Sequence, residues 1–194
     1  CMVETIRCTG VGTATALRAK AFGMNVVAYD PLVSRGTEIA VGVERRESLA
    51  EVLAISDVVS FHCPLTPETR QMINATTLRQ MKHEAILINT ARGGIVDTDA
   101  LIEALRSCVI AGAGIDVLPT EPPKADDEMM RAYAGRSEPL IGDRLIVTPH
   151  AAWSSPESVA DARRLAVETA MLYLRDGKLR NLVNAPARGK IRAA

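Results

Sequence analysis

The chain has 194 residues, 47% hydrophobic and 24% charged, which suffices for one substantial core and sets it among ordinary globular domains. Twenty-three Lys and Arg balance twenty-three Asp and Glu, so no net field draws nucleic acid or an anionic membrane surface. No apolar run reaches the roughly eighteen residues a bilayer crossing needs, and CMVETIRCTG carries no leader pattern; a cytoplasmic protein with no direct nucleic-acid or membrane partner is expected.

Taken in chain order, short β-rich runs alternate with stretches of helical spacing, the mark of a parallel sheet covered by helices on both faces. The strands are predicted at 4–9, 24–29, 57–61, 85–89, 110–115 and 145–148. Most are continuously apolar, as strands buried on both faces should be. Helices are predicted at 13–22, 48–55, 75–82 and 97–107, the last behind cap candidates Asp97 and Asp99. A long helix over 156–177 opens at Ser155-Pro156-Glu157 and stops at Gly177. Residues 119–144, rich in proline and charge, read as a surface excursion between the last two strands. The tail 185–194 is basic and expected to be frayed.

Four cysteines, Cys1, Cys8, Cys63 and Cys108, form no C-x-x-C pair, and the three histidines, His62, His83 and His150, show no helical metal-ligand spacing. Reduced thiols and no metal are expected.

The first strand leads into Gly10-Val11-Gly12, a helix and a second strand follow, and Asp30 closes that strand 18 residues after Gly12. This is the order of a Rossmann-type doubly wound dinucleotide fold. Glycines let backbone N–H groups approach a pyrophosphate, the helix N-terminus adds positive potential, and a carboxylate accepts from the ribose hydroxyls. That carboxylate repels a 2′-phosphate, so NAD is favoured over NADP. An ordinary βαβ turn with an aspartate at a strand end is the competing explanation.

Three later stretches place reactive side chains just after strands: NTARGG (89–94), DVLPTEPP (116–123) and TPHAAW (148–153). Loops beyond the carboxyl ends of parallel strands form the ligand crevice of such sheets. Hydride exchange at a carbon bearing a hydroxyl needs a proton donor and acceptor, a carboxylate beside it, and a cation for a substrate carboxylate. His150, Glu121 and Arg92 supply these types. Singly, each has a plainer explanation: a surface cation, a solvated loop acid and a cap beside Pro149.

Together, ALRAKAFGMNVVAYDP, FHCPLTPET, INTARGGIVDTDALIEAL, AGAGIDVLPTEPP and LIVTPHAAWSSPES resemble the cofactor-binding domain of the D-isomer-specific 2-hydroxyacid dehydrogenases. TPHAAW is nearest to the C-terminal-binding-protein-like branch, which includes NAD(H)-sensing corepressors. The resemblance runs from about residue 5 to 184 and implies one dinucleotide-binding domain over 1–184. It implies that Arg92 grips a substrate carboxylate, His150 exchanges the proton and Glu121 pairs with His150. It further implies NAD at Gly10, Gly12, Asp30, Cys63, Pro64, Leu65, Thr69, Thr90, Ala91, Asp116, His150, Ala152 and Trp153, with Asp116 facing the nicotinamide amide. Trp153 is expected to wall the pocket, a core or interface aromatic being the alternative. A small 2-hydroxy or 2-keto acid substrate and a homodimer are implied as well.

The sequence departs from the family pattern twice. Thr15 stands where the third glycine belongs, and three residues of the turn are absent. Because three helical residues make nearly one turn, the helix is expected to keep its buried face but lose the first turn that meets the phosphates. Arg7 in the first strand adds an unpaired charge at a position normally buried. The family's substrate domain, contributed mainly ahead of the first strand, is expected to be largely absent, which weakens catalysis. Three functions follow: a dehydrogenase, an NAD(H)-responsive binding module, or a cofactor domain that has lost activity.

Overall fold

The computed structural model describes residues 2–6, 10–134 and 139–180. Arg7, Cys8 and the basic tail lie outside them. The order is β1 (Met2–Ile6), α1 (Val11–Ala21), β2 (Asn25–Tyr29), α2 (Thr37–Val41), β3 (Glu44–Arg45), α3 (Leu49–Ile55), β4 (Val58–Phe61) and α4 (Ala75–Leu78). Then come β5 (Ile86–Asn89), a 3₁₀ turn (Gly93–Ile95), α5 (Thr98–Arg106), β6 (Gly112–Ile115), α6 (Glu128–Ala134), α7 (Pro139–Gly142), β7 (Leu145–Val147) and α8 (Pro156–Asp176).

Seven strands pair in parallel in the order β3-β2-β1-β4-β5-β6-β7. The order reverses between β1 and β4, which makes their carboxyl ends the switch point where such sheets hold ligands. Register fixes which residues meet there. Ile6 pairs with Phe61, Phe61 with Asn89, Asn89 with Ile115, and Ile115 with Val147. The residues one step further, His62, Thr90, Asp116 and Thr148, therefore leave the sheet along one edge.

Apolar burial holds this frame. Phe61, Leu87, Ile95, Leu105 and Ile110 are fully buried in a large cluster between the sheet and α5. A smaller cluster sets Ala16 and Ala19 of α1 against Val26, Ala28 and Val43. Small side chains at i and i+3 let α1 lie close to the strands.

The predicted α/β doubly wound sheet is present, with differences in detail. The two-residue β3 is too short to give a periodic signal. Helix α4 ends at Leu78 rather than 82, so His83 stands in an exposed turn before β5. The stretch 119–144 is not only a surface excursion: Met129 of α6 and Ile141 of α7 are 1% and 0% exposed, and both belong to the large core cluster. Proline and charge on its outer side masked those two anchors.

The shortened glycine turn also differs from expectation. Only Gly10 lies in the turn, with a φ of 54° that favours glycine; Gly12 is the second residue of α1 and is buried there. Helix α1 starts directly at this glycine, the Ala14 N–H donating to the Gly10 carbonyl at 3.1 Å.

The chain divides after Ala152 into two compact units, Cys1–Ala152 and Trp153–Ala194; the division falls inside the stretch expected as one domain over 1–184. In the second unit, α8 carries a capping box of Ser155 and Ser158, Pro156 in its first turn and Gly177 at its end. None of its residues is buried.

Candidate active site

His150 is held before its imidazole is considered. Its backbone adopts φ 52°, a left-handed conformation uncommon outside glycine, and its N–H donates to the Asp116 carbonyl at 2.9 Å. Asp116 then secures the following residues. Its Oδ1 accepts the Thr148 hydroxyl at 2.5 Å and the Ala151 N–H at 2.8 Å, and its Oδ2 accepts the Ala152 N–H at 3.0 Å. Burial pushes the Asp116 carboxyl up, but these donors and the nearby His150 outweigh it and hold it below the usual carboxylate range. One buried carboxylate at the end of β6 thus ties down the loop that presents His150.

The imidazole meets Glu121 directly: Nδ1 lies 2.6 Å from Oε2. The other oxygen, Oε1, accepts the Leu118 N–H at 2.8 Å. Desolvation and the like charge of Asp116 both raise Glu121, yet the Leu118 and His150 hydrogen bonds prevail and Glu121 stays below its ordinary value. A carboxylate fixed on Nδ1 leaves Nε2 as the ring atom for proton exchange.

Arg92 leaves β5 in the next turn. Asn89, 1% exposed, staples that turn: its Oδ1 accepts the Ala91 N–H at 3.1 Å and its Nδ2 donates to the Arg92 carbonyl at 3.0 Å. The exposed guanidinium folds back, Nη1 donating to the Ala91 carbonyl at 2.5 Å. Arg92 lines a cavity of about 320 Å³ with Val11, His62, Cys63, Pro64, Thr90 and Ala91. Burial lowers the His62 pKa, and its Nε2 lies 3.1 Å from the Ser60 hydroxyl.

The Arg92 and Glu121 loops touch through Gly93. A Cβ on Gly93 would fall 2.0 Å from the Leu118 carbonyl carbon and 2.3 Å from the Pro119 nitrogen. Only glycine allows this approach, and the Leu118 so contacted is the one whose N–H holds Glu121. A second cavity, of about 440 Å³, opens beside the His150–Glu121 pair between that loop, β7 and α6.

The structure therefore brings His150, Glu121 and Asp116 together and sets Arg92 with Cys63, Pro64, Thr90 and Ala91 in the neighbouring cavity. Asp30 is buried at the end of β2, where its Oδ1 accepts the Leu32 N–H at 3.0 Å. The space beside it, shared with Glu38 and Arg45, is only about 10 Å³. Thr69 shapes the 63–69 loop by donating to the Pro64 carbonyl at 2.7 Å, and Leu65 packs on the core. Trp153 begins the second unit and is exposed. Among the described residues, no cluster of His, Cys, Asp or Glu could hold a metal, and no helix is long and apolar enough to cross a membrane. Asn89 and Gly93 were missed by sequence reasoning, although both lie within NTARGG.

Residues 5–152 match the family described as D-isomer specific 2-hydroxyacid dehydrogenase, NAD binding domain. The chain belongs to that family. Over 175 residues it is 41% identical to the glycerate dehydrogenase of Methylorubrum extorquens, an alignment covering 90% of this chain and 50% of that protein. The glyoxylate reductase of Korarchaeum cryptofilum is 40% identical over 174 residues, covering 90% and 49%. Among solved structures, the NAD-complexed D-isomer specific 2-hydroxyacid dehydrogenase of Lactobacillus delbrueckii ssp. bulgaricus superposes with a TM-score of 0.81 at 33% identity, covering 94% of this chain and 56% of that one. The chain thus spans about half the length of these relatives, and its matched family segment ends where the first unit ends.

Proposed function

We propose that this chain is the cofactor-binding half of an NAD-dependent 2-hydroxyacid dehydrogenase, interconverting a small 2-hydroxy acid and the corresponding 2-keto acid. In this reading His150 Nε2 gives or takes the proton of the substrate oxygen, Glu121 holds the Nδ1 proton and steadies the imidazolium, and Arg92 swings outward to hold the substrate carboxylate. The observation that carries the reading is the 2.6 Å contact between Glu121 and His150 at the carboxyl edge of a doubly wound sheet. A carboxylate fixed on one ring nitrogen is how a histidine is set up for general acid–base work at the other.

The residues present fit NAD. Gly10 places the start of α1 at the switch point with no side chain capping it, which suits a pyrophosphate. Thr90, Ala91, Cys63 and Pro64 line the adjoining cavity, where Leu65 and Thr69 support the loop. Asp30 marks the adenosine end, and its turn must loosen from Leu32 to reach a ribose. Bound NAD supplies the hydride; the residues named here bind, orient and move the proton. The TPHAAW run supports the finer placement in the C-terminal-binding-protein-like branch, and a homodimer belongs to the same proposal.

The test is oxidation of NADH by the purified chain with glyoxylate or hydroxypyruvate, beside His150→Gln. Loss of a general acid–base group costs about 100- to 10,000-fold; equal rates in both proteins would remove His150 from the chemistry.

A further inference from the structure

The cavity beside His150 and Glu121 has a wall that none of the family motifs supplies. Residues 124–134 lie beyond the DVLPTEPP stretch and ahead of TPHAAW, yet α6 is built into the fold there. Asp127 Oδ1 accepts the Met130 N–H at 3.0 Å at the start of the helix, and Met129 is locked in the core. That anchor turns Met130 and Tyr133, spaced i and i+3 on one helix face, toward the cavity they line with Leu118, Pro122 and Val147.

The volume of about 440 Å³ is that of a small-molecule site. Its polar end consists of Asp116, Glu121, Thr148 and His150. Both carboxyls are held below their ordinary values, so both are ionised at neutral pH. Among the described lining residues there is no Lys or Arg. A phosphate or second carboxylate entering this space meets two fixed carboxylates, with the His150 ring, already engaged by Glu121, as the one basic side chain among the described lining residues, whereas an aliphatic or aryl group meets methionine, tyrosine, leucine and proline surfaces.

We infer that this cavity receives the side chain of the substrate, so that the protein favours 2-keto and 2-hydroxy acids with an apolar or aryl group on C3 over phosphorylated ones, with Met130 and Tyr133 setting the fit. The inference rests on the function proposed above, in that the reacting oxygen is placed at His150.

Two measurements on the 194-residue chain test it. The first labels methionine methyl groups with ¹³C, identifies Met130 from Met130→Leu, and titrates the NADH-mixed protein with phenylpyruvate or 3-phosphohydroxypyruvate. The Met130 signal is expected to shift saturably with phenylpyruvate and to stay in place with the phosphorylated acid. Equal shifts, or none with phenylpyruvate, overturn the inference. The second compares turnover in Met130→Trp, which fills the cavity. The preference for phenylpyruvate over glyoxylate is expected to fall by about tenfold or more, the scale on which a lost apolar pocket discriminates; an unchanged ratio overturns the inference while leaving the dehydrogenase reading intact. A Met130 shift in a protein that turns over no 2-keto acid does the reverse, supporting the cavity and removing the reaction.

Discussion

Gly93→Ala isolates the contact that joins the two loops of the site. Gly93 does not use a left-handed conformation, so alanine fits its backbone and steric overlap alone sets the cost. The added Cβ would sit 2.0 Å from the Leu118 carbonyl carbon, where ordinary contact begins at 3.4 Å; backbone must therefore move by 3.4 − 2.0 = 1.4 Å. Forced overpacking costs about 1–3 kcal/mol, and a backbone obstacle places this change at the upper end, about 3 kcal/mol. For a unit of this size each kcal/mol is worth about 2–4 °C, so a fall in Tm of about 6–12 °C is expected by circular dichroism. The same movement draws the Leu118 N–H off Glu121, so the Glu121 titration rises toward its ordinary value, readable by ¹³C NMR of the carboxyl. Gly94→Ala is the control. Its Cβ meets a side-chain tip, Leu65 Cδ2 at 2.9 Å, which can rotate away, and a loss under about 1 kcal/mol is expected. A Gly93→Ala protein that melts within about 2 °C of the parent, or an equal loss in both variants, would refute the reasoning.

Further predictions concern charge and assembly. Asp116 and Glu121 have depressed carboxyl pKa values, so their contribution is fully present above the ordinary carboxylate range and is lost as pH falls below that range through their depressed native values. Denaturant midpoints should fall over that window, and less so in Asp116→Asn; identical pH profiles would contradict the assignment. At pH 7 Asp116→Asn replaces charge-assisted acceptors with a partly donating amide and should cost about 2 kcal/mol, with the larger loss of protection from hydrogen exchange at Ala151 and Ala152. Light scattering at micromolar concentration should give the mass of two chains; the mass of one would remove the proposed homodimer.

The strand runs were legible because buried parallel strands are written as continuous apolar segments, and MNVVAY, DVVSF and AILIN needed no context to be placed. The glycine turn was harder to read. Periodicity could not tell whether Gly12 ends a loop or begins a helix, because a glycine has no side chain to mark a face. Helices α6 and α7 were hidden for a different reason. Among the described side chains each has a single buried residue, Met129 and Ile141, too few for a period. Within the site, His150 and Glu121 could be recognised as chemical types, but their meeting depends on a left-handed residue and on four hydrogen bonds made around Asp116 across 32 to 36 positions of chain. Asn89 and Gly93 act through backbone geometry, which a list of reactive side chains passes over.

The central claim is that the switch point between β1 and β4 seats a dinucleotide beside the His150–Glu121 pair. Titration of the chain with NADH, followed by nicotinamide emission, measures this most directly. Saturable enhancement with a Kd below about 1 mM, weakened when Arg or Glu replaces Gly10 at the start of α1, is the predicted result. A signal that rises linearly with NADH through that concentration, the same in the parent and the Gly10 variants, would contradict it.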